Sequence, residues 1–191
     1  MLKNLISTLL VTGATLLSVS ALAQTPTLNS APTLDSQSAA PIVPAAPELA
    51  ASSYLLIDAS SGAVLVEHNA DEALPPASLT KMMTSYIGSQ EIKRGQIGQN
   101  DLVLVSEKAW RMGGSKMFIK VGNQVPVIDL MRGIIIQSGN DASIALAEHI
   151  AGSEDAFADM MNGQAKRLGM TNSHFVNATG WPAEGHYSSA R

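Results

Sequence analysis

The stretch Leu74–Ile87 reads LPPASLTKMMTSYI, and it marks the point where the chain changes from strands to helices. Its two prolines prevent a regular helix from running in from upstream. The helix-favouring residues after them predict a helix over Ser78–Arg94. Ser78 and Lys81 fall in the first turns of that helix. Residues three apart on an α-helix lie about 60° apart in rotation and roughly 4.5 Å apart along the axis, so the two side chains can meet.

Ser78 and Lys81 have two interpretations. In the first, the serine starts a helix and the lysine is solvated, and a pattern as short as Ser-x-x-Lys also arises by chance. In the second, Ser78 is a nucleophile and a neutral Lys81 takes its proton. Because an unperturbed lysine is neutral in fewer than about one molecule in 1,000 at pH 7, this chemistry requires burial or the positive potential of a helix N-terminus.

A second motif, Ser138-Gly139-Asn140, lies between two predicted helices. Ser138 followed by Asp141 resembles a capping box, in which the serine would start the second helix. The same serine and asparagine could instead project into a cleft. There they could pass a proton to a leaving amine, hold a substrate amide and hydrogen-bond Lys81. The two interpretations do not exclude each other.

The rest of the chain predicts a hairpin followed by helices. The runs SYLLIDA and AVLVEHNA are β-prone and are joined by Ser60-Ser61-Gly62, which favours a tight turn. Residues 115–127 look extended or looped. Besides the first helix, the capping and periodicity signals predict helices over Ser106–Arg111, Val127–Gln137, Asp141–Ile150 and Glu154–Leu168.

The N-terminal sequence is typical of an exported protein. Residues 1–23 carry a lysine, a mostly apolar run and an Ala-Leu-Ala ending, which predicts a cleaved signal peptide rather than a membrane anchor. Residues 24–51 are rich in proline, alanine, serine and threonine and are interpreted as a linker. The domain is therefore predicted over residues 52–191, and the protein is expected in the periplasm or cell envelope.

Composition excludes several classes of function. The formal net charge of −4 indicates no general attraction to nucleic acid, and the absence of cysteine excludes disulfides and thiolate chemistry. The four histidines show no metal-ligand spacing. A Ser-His-Asp triad stays open, because its members need not be adjacent in sequence, although no G-x-S-x-G is present.

Taken together, the motifs resemble those of the serine-type D-alanyl-D-alanine carboxypeptidases, which are low-molecular-mass penicillin-binding proteins and relatives of the β-lactamases. The signature of that superfamily is S-x-x-K, S-x-N and K-T-G. The resemblance covers residues 52–191 and rests on SLTK, SGN and the surrounding text LLIDASSGAVL, AWRMGGSKMFIKVG, IIIQSGNDASIALAEHIAGS and FVNATGWPAEGHYSSAR. It implies an α+β, β-lactamase/transpeptidase-like fold, with a helical lobe and an antiparallel sheet lobe.

The resemblance also implies residue roles. Ser78 would attack the D-Ala-D-Ala peptide carbonyl, with Lys81 as general base. Ser138 would return the proton to the leaving D-alanine, and Asn140 would hold the substrate amide and Lys81. The resemblance implies peptidoglycan pentapeptide as substrate, β-lactams as covalent inhibitors of Ser78, and neither cofactor nor metal. Membrane association would depend on a C-terminal region outside this sequence.

The third motif is the departure from the family pattern, because no Lys-Thr-Gly occurs in the 191 residues. We therefore expect the chain to be an N-terminal fragment with an incomplete sheet. Three alternatives remain: a β-lactamase, a D,D-endopeptidase of the same superfamily, or a non-catalytic peptidoglycan-binding homologue. The last would be favoured if the complete coding sequence lacked Lys-Thr-Gly.

We predict that the isolated 191-residue chain is inactive and poorly stable. The missing strand supplies part of the oxyanion hole in the family, and loss of such stabilisation alone costs about 10²–10³ in rate. The measurement is D-alanine release from a muramyl pentapeptide by the purified chain. Measurable turnover would contradict the prediction.

Overall fold

The computed structural model describes residues 45–191. The predicted signal peptide, residues 1–23, and most of the predicted linker, residues 24–51, lie outside this range. Residues 45–51 are exposed and form neither helix nor strand. Within the described range, no helix combines the length and apolar character needed to cross a membrane.

The described chain contains two sheets of two antiparallel strands each and five α-helices. Their order along the chain is β1 (Tyr54–Ile57), β2 (Val64–His68), α1 (Thr80–Lys93), β3 (Leu102–Leu104), α2 (Glu107–Arg111), β4 (Gln124–Pro126), α3 (Val127–Gln137), α4 (Asn140–Ala151) and α5 (Glu154–Arg167). A 3₁₀ turn over Ala77–Leu79 precedes α1. All five predicted helices are confirmed, to within two residues at each end.

Strands β1 and β2 form the predicted antiparallel hairpin, with Tyr54 opposite His68. The turn is held by the Asp58 carboxylate, which accepts hydrogen bonds from the backbone and hydroxyl groups of Ser60 and Ser61. These bonds favour the charged carboxylate and hold the pKa of Asp58 well below its usual range. Gly62 completes the turn at φ +73°, a conformation that glycine adopts without a Cβ clash.

The second sheet was not predicted. Strands β3 and β4 pair antiparallel, with Val103 opposite Val125. Each strand has only three residues, which is too few for an alternating pattern to stand out from neighbouring loops. The backbone of Val127, at the start of α3, donates to the Asp101 carbonyl. This sheet therefore anchors the start of α3.

Helix α4 is the centre of the core. Its residues from Asn140 through Ala147 are all buried, and it packs against α1, α2, α3, α5 and β3. A helix that is buried nearly all round shows only a weak amphipathic stripe. Helix α1 approaches α3 and α4 at Gly88, where an added Cβ would lie 2.8 Å from Sδ of Met131.

The starts of the helices show which capping residues could be predicted from the sequence. Ser106 and Ser153 cap α2 and α5 as predicted, by accepting from the backbone N–H of Ala109 and Ala156. The capping box predicted for Ser138 is wrong. Ser138 ends α3 in the left-handed region, and Gly139 precedes α4 without a side-chain cap. A turn of two residues between the helices leaves Ser138 too early to serve as the cap of α4.

We predict that Leu130→Ala lowers the free energy of unfolding by about 2–5 kcal/mol, because this fully buried side chain leaves a cavity that the packed helices fill only in part. Ile136→Ala, on the exposed face of the same helix, is the control and should change it by less than about 0.5 kcal/mol. Urea unfolding followed by circular dichroism measures both. Equal effects of the two substitutions would contradict the assignment of the core.

Candidate active site

The turn that carries Ser78 is not part of the regular α-helix. Ser78 lies in the 3₁₀ turn Ala77–Leu79, and the α-helix begins at Thr80. Ala77 adopts φ +47°, which is uncommon for a residue with a Cβ. The prediction of a helix from Ser78 is therefore corrected by two residues. This turn leaves Ser78 exposed to solvent while Lys81 enters the first turn of α1.

Lys81 is buried, with 5% of its surface exposed. Its Nζ lies 3.1 Å from Oγ of Ser78 and 2.7 Å from the main-chain carbonyl oxygen of Thr179. Burial disfavours the charged ammonium and lowers the pKa of Lys81 to about 8. At that value roughly one molecule in ten is neutral at pH 7. The contact predicted from the spacing of Ser78 and Lys81 is present.

The segment Asn177–Trp181, which we call the 177–181 loop, covers Lys81. Oδ1 of Asn177 accepts from the backbone N–H and the hydroxyl of Thr179 and from the backbone N–H of Gly180. The carbonyl of Ala178 accepts from the hydroxyl of Thr84 on α1 at 2.7 Å. These bonds fold the loop tightly and tie it to the helix that carries Lys81.

The Ser138-Gly139-Asn140 motif forms the junction between α3 and α4. Ser138 is half-buried at φ +53°. Nδ2 of Asn140 donates to the Gly113 carbonyl at 2.8 Å, and its backbone N–H donates to the Ser115 carbonyl. Within residues 45–191, Oδ1 of Asn140 has no hydrogen-bond partner and is not fully buried, so it can accept from a substrate amide.

The expected hydrogen bond between Asn140 and Lys81 is not formed among the described residues. The Lys81 amine lies against Ser78 and Thr179, and Oδ1 of Asn140, the atom that could accept from it, has no partner among residues 45–191. The two parts of the site are nevertheless linked. Trp181, in the 177–181 loop, and Asn140 both lie close to Gly114. A Cβ added to this glycine would be 3.2 Å from the Trp181 ring and 2.7 Å from Nδ2 of Asn140.

Asp141 holds the segment beside the junction, a role that the sequence did not suggest. Its fully buried carboxylate accepts from the backbone N–H groups of Met117 and Ile119. One carboxylate thus holds the amides on both sides of Phe118, and that residue lies at φ +63° with 82% of its surface exposed. The segment over residues 115–127, which the sequence predicts to be extended or looped, is thus anchored to the first turn of α4.

His186 is a further buried residue that the sequence did not connect with the site. Its Nε2 lies 2.8 Å from the hydroxyl of Thr80, the residue directly before Lys81 in the sequence. The backbone N–H of Val176 donates to Nδ1 of His186. Nδ1 therefore carries no proton, and the neutral ring donates to Thr80 through Nε2. Sequence spacing gave no signal, because 106 residues separate the two partners.

The arrangement pairs the Ser78 hydroxyl with a buried amine, which is one of the pairings that can activate a serine as nucleophile. Ser78 lies two residues before the first residue of α1, and the backbone N–H groups of a helix start favour negative charge near them. In residues 45–191, no group of three or more histidine, aspartate or glutamate side chains is placed to hold a metal ion. Ser78 and Lys81 together can support proton transfer and acyl transfer.

We predict that protonation of His186 destabilises the fold in acid. Burial, with a smaller contribution from nearby His174, lowers the pKa of His186 below its ordinary 6.5. As the pH falls below 6.5, the unfolded chain binds a proton that the folded chain resists, so stability decreases. His186→Gln removes the part of the acid-induced loss of stability that comes from this histidine. Urea unfolding between about pH 7.5 and about pH 5 should show a smaller loss of stability for the variant, and equal losses would contradict the prediction.

Comparison with known proteins identifies a matching family and similar folds. Residues 40–191 match the D-alanyl-D-alanine carboxypeptidase family. The chain is 50% identical over 156 residues to the D-alanyl-D-alanine carboxypeptidase DacA of Escherichia coli K12, with 78% of this chain and 39% of that protein covered. The chain thus spans about two fifths of the length of that relative.

Two solved structures share the fold. One is the D-alanyl-D-alanine carboxypeptidase DacD from Francisella tularensis, with a TM-score of 0.75, 46% identity, and 78% of this chain and 36% of that chain covered. The other is penicillin binding protein 5 from Haemophilus influenzae, with a TM-score of 0.74, 43% identity, and 78% and 44% covered. The predicted transpeptidase-like α+β fold is confirmed. The chain belongs to the D-alanyl-D-alanine carboxypeptidase family of low-molecular-mass penicillin-binding proteins.

Proposed function

We propose that the full-length protein is a serine-type D-Ala-D-Ala carboxypeptidase that removes the terminal D-alanine from peptidoglycan stem peptides. The observation that carries the proposal is the buried Lys81 amine, 3.1 Å from Oγ of Ser78, with its pKa lowered to about 8. The names of the relatives support the same activity. The proposal concerns the full-length protein, since the chain spans only 39% of the E. coli relative.

In the proposed mechanism, Ser78 attacks the carbonyl carbon of the D-Ala-D-Ala peptide bond. Neutral Lys81 takes the hydroxyl proton as the Oγ–C bond forms. Collapse of the tetrahedral intermediate breaks the C–N bond, and Ser138 gives its hydroxyl proton to the leaving amine of D-alanine while the Lys81 ammonium returns its proton to Ser138. Water then attacks the ester of Ser78 and releases the shortened peptide with a free carboxylate.

Asn140 has a separate role in this proposal. Its side-chain nitrogen is held by the Gly113 carbonyl, which orients the amide group and leaves Oδ1 to accept from an N–H of the substrate peptide. This oxygen would align the peptide with Ser78. Orientation of this kind lowers the entropy that the reaction must lose in its transition state.

Ser78 would also react with β-lactams, which present a strained amide to the same nucleophile.

We further propose that the protein is exported to the cell envelope, where its substrate lies. The N-terminal sequence of residues 1–23 supports export.

We predict that a fluorescent penicillin labels the full-length protein. Ser78→Ala should abolish labelling, because alanine lacks the Oγ atom that forms the ester with the penicillin. Ser89→Ala is the matched control, since this serine lies on the exposed face of α1. Gel fluorescence measures both. Persistent labelling of Ser78→Ala would overturn the proposed nucleophile.

The products distinguish the proposed activity from its rivals. The full-length protein should release free D-alanine from a muramyl pentapeptide. Rapid nitrocefin hydrolysis without D-alanine would identify a β-lactamase, and cleavage of cross-linked dimers alone would identify an endopeptidase. Labelling with no hydrolysis of any of these substrates would favour a non-catalytic homologue.

The rate of acylation should rise with pH through a midpoint near 8, because only the neutral form of Lys81 accepts the proton. Stopped-flow measurement of penicillin acylation at several pH values gives this midpoint. A rate that is independent of pH across this range would contradict the role of Lys81 as base.

A further inference from the structure

We propose that the 177–181 loop positions Lys81 for proton transfer, with the Thr179 carbonyl orienting the amine and Gly180 allowing the loop to lie against the turn of Ser78. The inference rests on the proposed function of Ser78 and Lys81. It adds three positioning residues, Asn177, Thr179 and Gly180, to that site.

The Thr179 carbonyl limits the orientation of the Lys81 amine. A neutral amine has two N–H groups and one lone pair in tetrahedral directions. When one N–H donates to Thr179 at 2.7 Å, the lone pair occupies one of the two remaining directions, and Oγ of Ser78 lies 3.1 Å away. Because this acceptor is a main-chain atom, no single side-chain deletion removes it, and its position depends on the path of the loop.

Gly180 allows the loop to approach the turn that carries Ser78 closely. It has φ +82°, and an added Cβ would lie 1.7 Å from the Ala77 carbonyl oxygen and 2.9 Å from Oγ1 of Thr80. Separations below 3.0 Å to a backbone atom cannot be relieved by rotating a side chain. The backbone of Gly180 therefore lies directly on the turn that carries Ser78, at a distance that only glycine permits.

Hydrogen bonds within the 177–181 loop and to α1 and α5 hold the loop in this position. Asn177 accepts three hydrogen bonds from within the loop, and Thr84 donates to the Ala178 carbonyl. The backbone N–H of Ala178 donates to the buried carboxylate of Glu154, which also pairs with Lys108 at 2.8 Å. A segment tied to α1 and α5 in this way excludes water from the Lys81 amine.

Exclusion of water explains the electrostatics of the site. Burial is the cause that lowers the pKa of Lys81. Ala178 and Thr179 are themselves buried, so the loop supplies part of the covering on the amine. Displacement of the loop admits water, stabilises the ammonium and raises the pKa. The neutral fraction at pH 7 then falls about tenfold for each unit of that rise.

The test compares two glycine substitutions in the full-length protein. Gly180→Ala forces the loop away from Ala77. Gly185→Ala is the matched control, since it also replaces a glycine at positive φ, +79°, but its added Cβ meets no atom closer than 3.8 Å. The acylation midpoint of Gly180→Ala should move to higher pH, with a loss of about tenfold or more in rate at pH 7 that is largely recovered in alkali. Gly185→Ala should keep the wild-type midpoint.

Thr84→Val is a second, milder variant, in case Gly180→Ala fails to fold. It keeps the shape of the buried side chain and removes only the hydroxyl that donates to Ala178. Its midpoint should move in the same direction by a smaller amount. An unchanged midpoint in every folded variant of Gly180 and Thr84, whatever its melting temperature, overturns the proposal.

A direct titration of Lys81 separates this inference from the proposed function. Competitive labelling with isotopic acetic anhydride, read by mass spectrometry on the peptide that contains Lys81, gives its pKa without any catalytic reaction. A higher pKa in Gly180→Ala or Thr84→Val supports the positioning role of the loop even if penicillin labels no variant, an outcome that would count against the proposed function alone. An unchanged pKa in both variants overturns the inference.

Discussion

Burial of the Lys81 amine is the constraint on which the rest of the site depends. Taking a lysine out of water disfavours its charge, and here the chain makes this tolerable by giving Nζ a main-chain acceptor, Thr179, and the hydroxyl of Ser78. The helix that carries Lys81 and the 177–181 loop must both be in place for this to occur. A lysine with a pKa of about 8 is thus a product of packing, not of its neighbours in sequence.

The helical core supports this arrangement from one central element. Helix α4, buried through most of its length, packs against α1 and begins with Asn140. Among the described residues, two of the four non-glycine residues at positive φ lie at the candidate site: Ala77 in the turn that carries Ser78, and Ser138 two residues before Asn140. Such conformations persist only where surrounding contacts hold them, and they are often found at functional sites.

Helices could be predicted from the sequence more fully than the turns between them. The apolar pattern of Val127–Gln137 and the caps at Ser106 and Ser153 were sufficient, because each signal acts within a few residues. The strands β3 and β4 were missed because three residues carry too little periodicity. The capping box at Ser138 failed because the left-handed turn placed that residue at the end of one helix rather than the start of the next.

The sequence by itself determined that Ser78 and Lys81 can meet and to which family the chain belongs, since the spacing from Ser78 to Lys81 and the SGN motif are local. Tertiary structure alone decided how those groups are placed. The acceptor of Lys81 is 98 residues away, and the partner of Thr80 is 106 residues away. Spacing along a helix limits which side chains can meet within a turn. Burial, and with it the protonation state of Lys81, depends on segments that only folding brings together.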